Sequence, residues 1–198
     1  INTVTPDTII SSEGANQSAT GTAFDMAGNS ASATVSGINI DKTAPVITIT
    51  SPAAIQYDHS AVINISFTAT DSVSGIFKNT VYLDGQQYDP AKPISLLYLS
   101  LGIHTLKVES ENYAGLTATQ SVDFEVIATA GGTTSLVTTL YQTGAIDSGG
   151  IVTSLTQMLQ SGQLQAFINM LEAQSGKHIS SSAAEILMAD ALYMLGQL

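Results

Sequence analysis

The chain contains no cysteine and no tryptophan, and only five of its 198 residues are lysine or arginine. Without cysteine there are no disulfides, no thiolate nucleophile and no Cys-ligated zinc. With so few cations against 16 carboxylates and a net charge of −11, no basic patch can assemble. Nucleic-acid binding and attraction to an anionic membrane surface are therefore disfavoured. No apolar run approaches the 18 residues a membrane span needs, so no membrane insertion is expected. The first residue is Ile1 and no basic segment with an apolar core follows it. No signal peptide is visible, and the chain reads as a piece of a longer protein.

Serine and threonine make up about a quarter of the residues, and hydrophobic residues reach 44%. That combination suits β-rich modules that keep uncharged polar faces in water. From Val46 to Val126 the apolar residues recur with period two. Ile47 and Ile49 share one face; so do Ile63, Ile65, Phe67 and Ala69. Val81 pairs with Leu83, Leu106 with Val108, and Val122 aligns with Phe124 and Val126. Each run is short and bounded by turn residues such as Asp84-Gly85. One buried face per strand predicts an antiparallel sandwich.

An internal repeat accompanies this pattern. Ala27-Gly28 matches Ala114-Gly115, Asp25 meets Asn112, and Val35 meets Val122, all at an offset of 114 − 27 = 87. That offset is the size of one sandwich module. Residues 1–44 thus read as the C-terminal part of one sandwich, with a small-residue core face of Ala19, Ala23, Ala31, Ala33 and Val35. Its other half is expected upstream of Ile1. Residues 45–127 read as a complete sandwich, and "DKTAP" (Asp41 to Pro45) as a short, stiff hinge between modules.

After Ile127 the sequence "ATAGGTTS" reads as a flexible linker over residues 128–135, with Gly131-Gly132 at its centre. The period then switches to 3.6. Leu136, Val137, Leu140 and Tyr141 share a helical face, as do Ile151, Leu155, Met158 and Leu159. Leu164, Phe167, Ile168 and Leu171 form a third set, and Ala183, Leu187, Ala191, Met194 and Leu195 a fourth. Ser182 with Glu185 has capping-box spacing, and Ser180 is an equal cap candidate. Residues 136–198 are expected to be a bundle of three or four short helices, independent of the sandwich. The fold class is multidomain, β plus α.

Chemistry is hard to place on these residues. His59, His104 and His178 have no ligand spacing among them and read as surface or cap histidines. No G-x-S-x-G occurs, and "GNSAS" lacks the second glycine. Asp41, Asp71, Asp84 and Asp89 lie near strand ends and read as turn formers. A glycosidase would need two carboxylates facing each other in a cleft with aromatic platforms. No catalytic, cofactor-binding or metal-binding residue is assigned, and no cofactor is expected. Calcium at a module junction stays open as the weaker alternative, because hard cations want clustered oxygens and no EF-hand-type loop is present.

Two stretches carry resemblances. "ATGTAFDMAGNSASATVSGINIDKTAPVITITSP" resembles the junction between bacterial immunoglobulin-like repeats, and the match covers residues 15–127. "LYQTGAIDSGGIVTSLTQML", "LQAFINMLEAQSGKHIS" and "AAEILMADALYML" resemble the FIMAH module, over residues 135–198. It departs from that module between Met158 and Leu164, where the second helical hairpin looks shortened. The resemblance implies a non-catalytic accessory, spacer and attachment region of a secreted or cell-surface bacterial protein. The parent it implies is a polysaccharide-degrading enzyme, a glycoside hydrolase or polysaccharide lyase. The implied partners are a polysaccharide or cell-wall component and neighbouring immunoglobulin-like modules. The alternative is a carbohydrate-binding module in the complete sandwich, for which Tyr57, Tyr82, Tyr88 and Tyr98 are the stacking candidates.

Overall fold

The computed structural model describes residues 3–196. The N-terminal strands are β1 (Thr3–Val4), β2 (Gly14–Phe24) and β3 (Ser30–Ile40), which form one sheet in that order. Pairing within it is antiparallel, with Ala19 opposite Val35 and Ala23 opposite Ala31. Nearly every residue of β3 is exposed. Of the expected core face, Ala31, Ala33 and Val35 are exposed, whereas Ala19 and Ala23 on β2 are half-buried.

The sandwich is built from β4 (Val46–Ser51), β5 (Gln56–Asp58), β6 (Val62–Ile63), β7 (Ser66–Thr70), β8 (Ile76–Leu83), β9 (Gln86–Tyr88), β10 (Ile94–Ser95), β11 (Gly102–Asn112) and β12 (Thr117–Ile127). One sheet runs β5-β12-β11-β8-β9, and the pairs β4-β7 and β10-β6 complete the fold. β5 joins β12 in parallel, with Val126 opposite Tyr57. The period-two faces point as the alternation requires. Ile63, Val81, Leu83, Leu106, Val108, Phe124 and Val126 are all buried. Ile47, Ile49, Ile65, Phe67 and Val122 on the same faces are half-buried.

Four helices follow: α1 (Ala130–Gln142), α2 (Gly149–Gln160), α3 (Leu164–Gln174) and α4 (Ser181–Met194). Gly144 and Gly162 take positive φ (78° and 69°) just past α1 and α2, where a left-handed residue ends a helix without a Cβ penalty. The apolar stripes meet in one core that includes Leu136, Leu140, Leu155, Phe167, Leu171 and Leu187. Tyr141 and Leu195 are exposed instead, because each lies at the flank of its stripe. The α4 cap is Ser180, whose hydroxyl accepts from the Ala183 N–H, and not Ser182.

The chain divides into two compact units. One gathers the N-terminal residues through Thr48 with Thr68–Thr80 and Val108–Gln120. The other gathers Ile49–Phe67, Val81–Lys107 and everything from Ser121 onward. The helices therefore share a unit with β5, β6, β9, β10 and most of β12, against the expectation that they stand apart. Leu97, which follows β10, lies in the helical core.

Residues 130–135 are likewise helical and not linker. Thr129 caps α1 by accepting from the Gly132 N–H at 3.0 Å, and its hydroxyl donates to the Asp58 carboxylate. Gly132 is buried, and a Cβ there would overlap that same carboxylate. The glycine serves close packing of helix on strand end, where the sequence suggested flexibility.

Candidate functional site

A polar network in the first unit centres on Asn112, the last residue of β11 and 1% exposed. Its Oδ1 accepts from the backbone N–H of Ala114 (3.1 Å) and Leu116 (2.8 Å). That fixes the amide orientation and turns Nδ2 the other way. Nδ2 then donates to Asp41 Oδ2 at 2.9 Å, to the Thr43 carbonyl at 3.0 Å and to Asp71 Oδ2 at 3.1 Å. Asp71 Oδ1 in turn accepts from the N–H groups of Val73, Ser74 and Gly75 at 3.1, 2.9 and 3.1 Å. The Asn112 amide and, against some desolvation, these backbone donors hold the Asp71 pKa down to about 2.

Asp41 also sits below the usual carboxylate range. The Ser74 hydroxyl is the main cause; burial and the neighbouring Asp71 charge oppose it, and the Thr43 N–H supports it. Two carboxylates thus converge on one amide. Each N–H supplies the positive end of a dipole where a cation would otherwise balance the pair. The calcium alternative meets an amide donor between the carboxylates. Among the described residues no group of three or more His, Asp or Glu is placed to hold a metal. The hinge "DKTAP" is clamped: Asp41 and Thr43 are tied to the turns around Asp71 and Asn112, and Pro45 is buried.

Beside this clamp lie two exposed aromatic rings. Phe77 is 58% and Tyr113 69% exposed, and their centroids are 5.4 Å apart at an interplanar angle of 65°. Tyr113 also lines a cavity of about 360 Å³ with Asn39, Asp41, Val73, Ser74 and Ala114. The four tyrosines singled out from the sequence have different surroundings. Tyr57 packs edge-on against Phe124 (5.9 Å), and its hydroxyl accepts from the Ala53 N–H (2.9 Å). Tyr82 lies beneath the Lys107 ammonium at 4.3 Å, and Tyr88 donates to the Pro93 carbonyl at 2.9 Å. Tyr98 is 79% exposed on the short 3₁₀ turn Leu96–Tyr98.

The histidines need correction. His59 and His104 are buried, at 2% and 6% exposure, and only His178 is a surface residue. His104 continues the inward face of Leu106 and Val108, so the alternation already placed it inside. Its ring bonds Asp84 Oδ2 at 2.7 Å and the Ser100 carbonyl at 2.8 Å. His178 meets Asp147 at 2.7 Å in solvent. Asp84 and Asp89 sit in turns as expected; Asp89 accepts from the Ala91 N–H at 3.0 Å.

His59 forms the deepest polar contact in the second unit. Its Nδ1 is 2.5 Å from Asp190 Oδ1 on α4, and its Nε2 is 3.1 Å from the Leu99 carbonyl. Asp190 Oδ2 accepts from the Thr133 hydroxyl of α1 at 2.8 Å. Burial pushes the imidazole pKa down, but the Asp190 hydrogen bond and charge outweigh it and raise it above the ordinary value. No sequence signal marked this pair, because 131 residues separate its members.

Residues 45–108 match the family described as a bacterial Ig domain. A comparison with curated proteins gives no match. Among solved structures, fibronectin(III)-like modules of Clostridium thermocellum CbhA are 18% identical, covering 56% of this chain and 63% of theirs at a TM-score of 0.36. The PKD1 domain of Vibrio anguillarum Epp is 17% identical over 43% of this chain and 96% of its own, with a TM-score of 0.33. An ice-binding, Ca²⁺-stabilised adhesin from an Antarctic bacterium is 22% identical over 57% and 32%, at 0.26. The chain spans less than two thirds of the first of these. The matched residues run from just before β4 into β11, so this part of the sandwich is similar to a bacterial Ig domain. Among the described residues no helix is long and apolar enough to cross a membrane.

Proposed function

We propose that this chain is a non-catalytic spacer and attachment region of a secreted or cell-surface bacterial protein. The observation that carries this reading is the Asn112 clamp. It ties the segment between β3 and β4 to two turns of the following sandwich, through one buried amide. A spacer has to resist bending at the joint between modules, and such a clamp removes the backbone freedom that a bare linker would keep. The resemblance of residues 135–198 to the FIMAH module supports a terminal docking role for the helices. It also supports a polysaccharide-degrading parent, either a glycoside hydrolase or a polysaccharide lyase. Tethering by such a region raises the effective concentration of a catalytic domain at a wall or polymer.

The test has two arms. Asn112→Ala should broaden the distance distribution between spin labels placed on β3 and on β12 of the whole chain. An unchanged distribution would sink the stiff-joint reading. Removal of the region from its parent should weaken action on insoluble polysaccharide while turnover of a soluble oligosaccharide stays the same. An equal loss on both would point to a folding or catalytic role.

Phe77 and Tyr113 favour a second reading, contact with glycan by the complete sandwich. An exposed ring beside a cavity with Asn39, Asp41 and Ser74 offers a stacking surface and hydroxyl partners to a pyranose. The acidic lining favours a neutral sugar over a uronate. Titration with neutral oligosaccharides should shift the Tyr113 and Ser74 amide signals, and Tyr113→Ala should abolish the shift. Silence across a panel of neutral glycans would leave the spacer reading alone.

A further inference from the structure

The His59 ring sits between two groups that accept hydrogen bonds. A backbone carbonyl, that of Leu99, faces Nε2 at 3.1 Å, and a carboxylate oxygen of Asp190 faces Nδ1 at 2.5 Å. The carbonyl has no hydrogen to give. Nε2 must therefore carry one, and the short contact at Nδ1 needs another. Whether that second proton is assigned to the ring or to the carboxyl, the pair holds one proton more than neutral histidine beside aspartate. Its loss would leave a ring lone pair against a buried carboxylate oxygen. Asp190 cannot turn away, because its other oxygen is taken by the Thr133 hydroxyl. Four pieces of chain meet here: the residues after β5, the loop after the 3₁₀ turn, α1 and α4.

The charges around the ring are of one sign. Asp190 faces it from α4, and Asp58 adds negative potential from the end of β5. The Asp58 oxygens are already engaged by the Ser60 N–H, the Ser60 hydroxyl and the Thr129 hydroxyl. Glu185 of α4 lines the same cavity as His59, a space of about 620 Å³ bounded by Leu99, Leu101, Ile186, Ala189 and Tyr193. No lysine or arginine is among the residues lining it. The α1 side contributes only the neutral Thr133.

We propose that His59 and Asp190 form a proton-dependent latch, in which one bound proton fastens α4 to the sandwich end and its loss releases the helices. The sign follows from linkage. A histidine whose folded pKa is raised contributes fully below its unfolded value of about 6.5. The contribution then falls as pH climbs from there and is gone once pH passes the folded value. The latch is therefore closed in acidic surroundings and loosens as pH rises above about 6.5. The neighbouring cavity gives water a route to the ring once α4 begins to move. The role is conformational and holds whether or not the region acts as a spacer.

Two measurements on the whole chain test it. The ¹⁵N shifts of His59 at pH 6.5 should report both ring nitrogens protonated. Hydrogen exchange of α4 and of residues 99–102, corrected for intrinsic rates, should show an opening constant rising about tenfold per pH unit above pH 6.5 until His59 has titrated. The strands β2 and β3 should show no such step. His59→Gln keeps one amide donor for Asp190 and has no proton to lose, so its α4 opening should be independent of pH over this range. Neutral-tautomer shifts for His59 at pH 6.5 would overturn the latch, and so would α4 protection that stays flat while His59 titrates. Both of those readouts come from the unmodified chain, so the test stands even if His59→Gln folds poorly.

Discussion

Asp25 and Asn112, 112 − 25 = 87 residues apart, hold the same turn with the same hydrogen bonds. Asp25 Oδ1 accepts from the N–H of Ala27 and Asn29 (both 2.8 Å); Asn112 Oδ1 accepts from Ala114 and Leu116 (3.1 and 2.8 Å). Gly28 and Gly115 complete the two turns with φ of 89° and 80°. The second oxygen of Asp25 takes the Asn29 amide at 2.8 Å, whereas the same position in Asn112 is a nitrogen that reaches Asp41 and Asp71. One atom, oxygen or nitrogen, decides whether the turn serves itself or clamps the segment in front of the module.

The first prediction concerns that nitrogen. Asn112→Ala should destabilise the chain by about 1–3 kcal/mol, since a buried amide leaves its partners unsatisfied. It should also raise the Asp71 pKa, because the amide is the largest cause of its depression. Asp71 in the wild type has a pKa of about 2, below its unfolded value of about 3.9. Its contribution is therefore present above pH 4 and lost as pH falls towards 2. Carboxyl ¹³C titration should place the loss at higher pH in the variant. An unmoved Asp71 titration would show that the three backbone donors suffice.

Phe124 is 2% exposed, packed between Tyr57 and the His104 ring at centroid distances of 5.9 and 5.8 Å. Phe124→Ala should cost about 3–5 kcal/mol. Phe67 is half-buried, so Phe67→Ala should cost less than Phe124→Ala. Denaturant melts of both variants check the order; a larger loss at Phe67 would mean the inward face is packed elsewhere.

The strand faces were legible because burial on one side forces period two, and Leu106, Val108, Phe124 and Val126 obey it without exception. His104 was legible by the same rule and was misjudged by residue type. The turn repeat was legible in Asp25, Ala27 and Gly28, although nothing in the string said which atom of Asn112 would face Asp41. The pair His59 and Asp190 was not legible, since no local pattern joins residues 131 apart. Phe77 and Tyr113 were not legible, because alternation marks the inward face of a strand and says nothing of which outward rings meet. Gly131-Gly132 was misread because glycine marks both flexible linkers and close packing, and only the position of Asp58 distinguishes them.

Gly132 gives a third prediction. Alanine is the better helix former by about 1 kcal/mol, so an open site would be stabilised by Gly132→Ala. Here the added methyl must displace the Asp58 carboxylate. That carboxylate cannot move without losing the Ser60 N–H and the Thr129 hydroxyl that caps α1. The net effect should be a loss of about 1–3 kcal/mol. Gly131, exposed one residue earlier with only the Thr129 hydroxyl nearby at 3.9 Å, is the control, and Gly131→Ala should be neutral or stabilising. Equal thermal shifts for the two would remove the close-packing account.

The strands β2 and β3 give the last prediction. On one face Thr20 meets Thr34 and Thr22 meets Ser32, each pair at 2.8 Å between hydroxyls. On the other, Ala19, Gly21 and Ala23 lie opposite Val35, Ala33 and Ala31. Alanine and glycine bury little apolar area, so this sheet gains little from the hydrophobic effect. β3 is the last strand of its sheet and leaves one row of backbone groups without a ladder partner there. Amides of β3 should therefore exchange faster than those of β11, which has neighbours on both sides. Association should rise with concentration through the same edge. Val35 is 64% exposed, and Val35→Lys should suppress that association by placing a charge on the apolar face without disturbing the fold. Sedimentation and hydrogen exchange on the same samples decide it. Slow exchange of β3 in a sample that remains monomeric at high concentration would mean that this sheet is covered in a way its exposed side chains do not reveal.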